Sequence, residues 1–219
     1  MSSAIGILGG TFDPVHLAHL ALARAARDRL KIPEVRWIPA GQPPHRTDAQ
    51  TAPRSTPADR LAMVRATIEG EPGFVLEGSE VESTTPSYTV HTLERLRREL
   101  GPDRPLVLLM GADAFHGFAR WHRWQDIFGL AHLAVATRPG FPLEDFEEPL
   151  AGEFMTRRLT STDFSRPAGH IVPFELIAGT VSATEVRQRI AARDPPAQLL
   201  ALLPAPVLDY IQHHQLYLS

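Results

Sequence analysis

Residues 9–20 read GGTFDPVHLAHL. The apolar run AIGIL, Ala4 to Leu8, stands directly before them, and an amphipathic stretch from Val15 to Leu30 follows. That order predicts a strand, a Gly-Gly turn and a helix. Gly9 and Gly10 can take positive φ, and without a Cβ they let a ligand reach the backbone. Asp13 suits the N-cap, and Pro14 suits the first helical position, where a missing N–H costs nothing. His16 then falls in the first turn. His19 lies three residues on, so both imidazoles share one helix face. The unpaired N–H groups of a first turn and the helix dipole favour an anion. The stretch reads as a cradle for a triphosphate.

Composition narrows the classes. The 219 residues are 43% apolar and carry a net charge of −3, which argues against a nucleic-acid-binding surface. There is no cysteine, so disulfides, thiolate chemistry and Cys-ligated zinc are excluded. No apolar run of about 18 residues is present, so no membrane span is expected. The start, MSSAIGILGG, lacks a basic leader, and its apolar part belongs to the first strand, so the expected location is cytoplasmic. Lys31 is the single lysine, so a phosphate-binding cation here must be Arg or His.

Further along, strands are expected at Glu34–Ala40, Phe74–Val81, Pro105–Met110, Ala131–Thr137 and His170–Phe174. Helices are expected from Thr56-Pro57 to about Glu69, Pro86 to Leu100, Leu150 to Leu159, Ser182 to Ala192 and Pro206 to His214. The Pro-rich loop 41–57 is long enough to suggest function. Strands alternating with helices imply an α/β fold, doubly wound, with a mainly parallel sheet. Ligands in such sheets bind at the carboxyl ends of the strands. Four informative stretches sit there: Gly9-Gly10, Pro43-Pro44-His45-Arg46, Gly111-Ala112-Asp113, and Arg138.

GGTFDPVHLAHL resembles the H-x-G-H signature of the nucleotidyltransferase superfamily, in the form found in bacterial nicotinate-nucleotide adenylyltransferases. Ala18 stands where that family often has Gly. Four more segments carry the resemblance: PPHR at 43–46, TPSYT at 85–89, GAD at 111–113 with WHRW at 121–124, and SATEVR at 182–187. It runs from Ile5 to Tyr217. It implies a Rossmann-like fold, one domain over 1–219 and a C-terminal helical part from about 182. The implied ATP-binding residues are Gly9, Gly10, Thr11, Phe12, His16, His19, Gly111, Asp113, Arg138, Ser182, Thr184 and Arg187. Those for nicotinate mononucleotide are Thr85, Ser87, Tyr88, Trp121 and His45. His16, His19, Arg46 and Arg187 are the implied catalytic set. Trp121 is given to the pyridine ring and Trp124 to packing, with His122 structural. Ser182 and Glu185 are also explained by a capping box, whereas capping leaves Arg187 without a role.

The implied reaction joins nicotinate mononucleotide to the adenylyl group of ATP, giving deamido-NAD and pyrophosphate. A phosphate monoester is largely ionised at pH 7, so no general base is required. Mg²⁺ is expected, held by phosphates and water rather than by protein side chains. A helix start at Thr85-Pro86-Ser87 offers donors to a carboxylate, so the acid is expected over the amide. A sister transferase acting on phosphopantetheine or glycerol phosphate fits TPSYT and WHRW poorly, since neither substrate has a ring to stack. An aminoacyl-tRNA synthetase relative would need a Lys-rich motif. A non-catalytic nucleotide-binding module would not need both His and both Arg. Partners are then ATP and nicotinate mononucleotide, with neither nucleic acid nor membrane, and a homo-oligomer is left open.

Overall fold

β1 (Ile5–Gly10) is buried from Ile5 to Leu8 and opens only at its two glycines. The structure, a computed structural model, describes residues 3–44, 52–137, 143–144, 146–176, 179 and 181–218. After β1 come α1 (Leu17–Arg29), β2 (Glu34–Pro39), α2 (Pro57–Ile68), β3 (Phe74–Leu76), α3 (Ser79–Glu82) and α4 (Thr89–Leu100). Then follow β4 (Leu106–Gly111), α5 (Ala112–His116), a 3-10 turn (Phe118–Arg120), α6 (Trp124–Leu130), β5 (His132–Thr137) and α7 (Leu150–Arg157). The chain continues through β6 (Ile171–Glu175), α8 (Ala183–Ala191), α9 (Pro196–Leu199) and α10 (Ala205–His213).

The six strands form an all-parallel sheet in the order β3-β2-β1-β4-β5-β6, as the strand–helix alternation predicts. The winding reverses between β1 and β4, and in such sheets this switch point is where ligands bind. Ile7 of β1 pairs with Leu108 of β4, and both strands end on glycine. No helix among the described residues is long and apolar enough to cross a membrane.

The chain falls into two compact units. The first takes residues 1–9, 22–36 and 88–178. Its β4 and β5 are buried along nearly their whole length, as their continuous apolar sequences require. Phe118 is its aromatic centre, with edge-on contacts to Trp121, Trp124 and Phe128. The second unit takes residues 10–21, 37–87 and 179–219. Here Trp37, fully buried, meets Phe12 and Phe74, and α10 packs on α2.

Several local expectations are corrected. α1 begins at Leu17, so Asp13 is not its N-cap and His16 precedes its first turn. The positive φ of the β1–α1 connection falls on Phe12 (52°), not on Gly9 or Gly10, which complete the strand. The strand after residue 73 ends at Leu76, because Ser79–Glu82 turn helical. α4 starts at Thr89 rather than Pro86, with Tyr88 as N-cap. The cap of α2 is as expected: Thr56 accepts from Asp59 N, and the Asp59 side chain accepts from the Thr56 backbone.

Candidate active site

His16 and His19 lie in the second unit, ring on ring, with centroids 3.7 Å apart. The backbone N–H of His16 donates to Nδ1 of His19 at 3.2 Å. Nδ1 of His16 is buried and has no hydrogen-bond partner among the described residues. Burial pushes the His16 imidazole down to about 4, and it holds His19 well below its ordinary value, with the neighbouring His16 adding to the effect. Both rings are therefore neutral near pH 7. Phe12 packs its ring edge-on under His19 and is itself buried, so only its backbone can serve a ligand.

The first-turn N–H groups of α1 are more occupied than the sequence suggests. Leu17 N donates to Leu202 O, while His19 N and Leu20 N both donate to His16 O. The anion-binding character of the turn thus rests on its side chains more than on the helix end.

Asp13 anchors this turn from below. It is 2% exposed and accepts from Arg54 N (2.8 Å), Ser55 N (3.1 Å), Ser55 Oγ (2.5 Å) and Tyr217 Oη (2.8 Å). Arg187 donates through Nη1 to the Asp13 carbonyl at 2.6 Å and through Nη2 to Thr184 Oγ1 at 3.2 Å. Its Nη1 is also 3.7 Å from Asp13 Oδ2. Arg187 therefore has a structural role that the sequence left blank. Ser182 caps α8 by accepting from Glu185 N.

Arg60 does similar work on the loop after β2. Its Nη1 donates to the carbonyls of Thr11 and Ala40, and its Nη2 to that of Gly41. Ser87 closes the same loop: its Oγ accepts from Gly41 N and Gln42 N, and its own N–H donates to Gln42 O. Gly41 is obligatory there, since a Cβ would sit 2.0 Å from the Glu80 carbonyl oxygen. A cavity of about 350 Å³ is lined here by Gly41, Pro43, Pro53, Ser55, Arg60 and Pro86, among others. Thr85 N donates to Ser83 Oγ and Ser87 N is bound as above, so the Thr85 turn is not a set of free donors. The electrostatic argument for acid over amide at that turn falls with the relocated helix start.

In the first unit, Gly9 is the next-to-last residue of β1 and Gly111 ends β4, and a Cβ on either would meet nothing within 4 Å. The backbone there is open to close approach. Asp113 follows in α5 and is exposed. Tyr88 lies against His122, with centroids 4.4 Å apart, and His91 meets both rings edge-on. His122 is exposed, so its ring contacts lie at the surface. Trp121 is the C-cap of the 3-10 turn and Trp124 opens α6; each leans on Phe118.

His45, Arg46 and Arg138 lie outside the described residues. Ser55, Arg60 and Tyr217 are site-building residues that the sequence did not single out. Arg60 had a signal: it shares a face of α2 with Met63, Val64 and Thr67, where a charge needs partners. Tyr217 had none, because its partners are distant in sequence.

Residues 7–189 match the family model described as cytidylyltransferase-like. A "Probable nicotinate-nucleotide adenylyltransferase" of Dechloromonas aromatica is 53% identical over 99% of each chain. One so named from Laribacter hongkongensis is 47% identical, covering 99% of this chain and 95% of its own. Among solved structures, nicotinic acid mononucleotide adenylyltransferase of Plasmodium falciparum, complexed with NaAD, superposes with a TM-score of 0.70 at 16% identity, over 98% of this chain and 97% of its own. At that identity the likeness speaks for the fold.

Proposed function

Because the chain belongs to the nicotinate-nucleotide adenylyltransferase family, we propose that it transfers the adenylyl group of ATP to nicotinate mononucleotide, forming deamido-NAD and pyrophosphate in NAD biosynthesis. A phosphate oxygen of the mononucleotide attacks the α-phosphorus of ATP. The O–Pα bond forms as the bond from Pα to the bridging oxygen of pyrophosphate breaks. The nucleophile is already ionised, so the protein's work is positioning and stabilisation of charge on the transferring group. His16 and His19 supply neutral N–H donors to that group. Arg187 and Arg46 offset the charge of the leaving pyrophosphate. Gly9, Gly10, Thr11 and Phe12 offer backbone, and Ser182 and Thr184 hydroxyls, to ATP.

In the same reading Gly111 and Asp113 serve the ATP side, Asp113 as acceptor of ribose hydroxyls, and Arg138, the residue after β5 in sequence, is assigned to ATP as well. Trp121, Tyr88, Thr85, Ser87 and His45 serve the mononucleotide. In this reading residues 1–219 are one nucleotidyltransferase domain, with a C-terminal helical part from about 182. Mg²⁺, if bound, would be held by the phosphates and water rather than by protein side chains, and would offset phosphate charge. Among the described residues no group of three or more His, Cys, Asp or Glu could hold a metal. The side chains gathered at the turn suit the phosphates that carry the ion rather than the ion itself.

The observation that carries the reading is the stacked, neutral His16–His19 pair, with a buried unpartnered ring nitrogen, at the carboxyl end of a parallel strand. Pyrophosphate release from ATP is the test, with nicotinate mononucleotide, its amide, phosphopantetheine and glycerol phosphate as acceptors. Turnover with nicotinate mononucleotide is expected. Turnover confined to phosphopantetheine or glycerol phosphate would overturn the substrate.

A further inference from the structure

We propose that Tyr217 is a positioning residue for adenylyl transfer: its hydroxyl holds Asp13, and through Asp13 the turn that carries Phe12 to His16. The proposal rests on the reading of that turn as the phosphate site. Tyr217 lies beyond the end of α10, in the turn where Leu216 N donates to Ile211 O. It is 6% exposed, and its backbone takes a left-handed φ of 64°. Its hydroxyl donates to Asp13 Oδ1 at 2.8 Å and lies 3.0 Å from Ser55 Oγ. A residue near one end of the sequence thus reaches a turn that stands 204 positions away.

The geometry gives the contact a purpose beyond filling space. Asp13 Oδ1 collects Tyr217 Oη, Ser55 Oγ and Ser55 N, while Oδ2 takes Arg54 N. Both oxygens are therefore aimed, and the carboxylate cannot rotate without breaking a bond. Its backbone carbonyl is pinned from another side by Arg187. Asp13 is three residues before His16, whose backbone N–H orients the His19 ring. Burial, with Asp13 beside it, holds the Tyr217 phenol far above its ordinary range, so it stays a donor across the working pH range. Small errors in the position of such donors cost rate far more than affinity.

The experiment compares wild type, Tyr217→Phe, Ser55→Ala, Asp13→Asn and the Tyr217→Phe/Asp13→Asn double variant, each in the full chain. Tyr217→Phe is expected to lower kcat roughly tenfold, with the mononucleotide KM within about twofold of wild type. On the Asp13→Asn background it should cost nothing further, because the hydroxyl acts through that carboxylate. The imidazole ¹⁵N resonances of His16 and His19 should move in Tyr217→Phe. Unchanged kcat, unmoved imidazole resonances, or losses that multiply in the double variant would each overturn the proposal. If Tyr217→Phe fails to fold, Ser55→Ala, which removes another donor from the same oxygen, is judged by the same criteria. If wild type is inert with nicotinate mononucleotide, the substrate reading fails, and the imidazole resonances alone decide the role of Tyr217.

Discussion

Nδ1 of His19 accepts the backbone N–H of His16 at 3.2 Å. A ring nitrogen that accepts carries no proton, so the neutral His19 ring holds its hydrogen on Nε2. The main chain thereby selects the tautomer, and Nε2–H is the donor left for a ligand. The stacked His16 ring makes a charge on either imidazole costly to its neighbour.

His16→Ala and His19→Ala are each expected to lower kcat by about 10²–10³-fold, the value of one oriented donor to developing charge. The mononucleotide KM should change little. In the wild type, ¹⁵N spectra should show His19 as the Nε2–H form, with neither ring titrating between pH 8 and 5. Variants that keep more than half of wild-type turnover would remove both residues from the chemistry.

Arg187→Ala should raise the ATP KM and also lower Tm, since the guanidinium holds the Asp13 carbonyl and Thr184 Oγ1. Arg187→Lys should fall between, because one ammonium cannot reproduce a two-nitrogen fork. Steady-state kinetics on ATP and thermal melts separate the two losses. A lowered Tm with an unchanged ATP KM would leave Arg187 with its structural role alone.

Arg60→Leu strips donors from the carbonyls of Thr11, Ala40 and Gly41. At about 1–3 kcal/mol for each buried group left unsatisfied, a loss of roughly 3 kcal/mol or more is expected. Urea unfolding measures it. A variant within about 0.5 kcal/mol of wild type would mean that water replaces the guanidinium.

Acid should destabilise the fold before carboxylates titrate. Burial lowers His16 and His132 from an ordinary 6.5 to about 4. Between those values the unfolded chain binds more protons than the folded one, so stability rises with pH. The contribution is complete above about pH 6.5 and is lost as pH falls through 4, on the order of 3 kcal/mol per group. His132 accepts His170 N at Nδ1 and places Nε2 2.8 Å from Arg166 O, a pair of contacts that glutamine can imitate. Urea midpoints at pH 7 and 4.5 should therefore converge in His132→Gln relative to wild type. Equal pH sensitivity in both would show that His132 does not titrate on unfolding.

By itself the sequence determined the parallel sheet, the places of its main strands and helices, the α2 cap and the stretch that bears the two histidines. Those features follow from periodicity, apolar runs and capping chemistry, all of which act between residues near in sequence. Only the tertiary structure decided where α1 and α4 begin, because Asp13 and Ser87 are drawn into bonds with Ser55, Tyr217, Gly41 and Gln42 instead of capping helices. It alone also showed that Arg187 has a structural partner and that Arg60 and Tyr217 build the site. Those residues act on groups 19 to 204 positions away, and no local pattern encodes a hydrogen bond of that span.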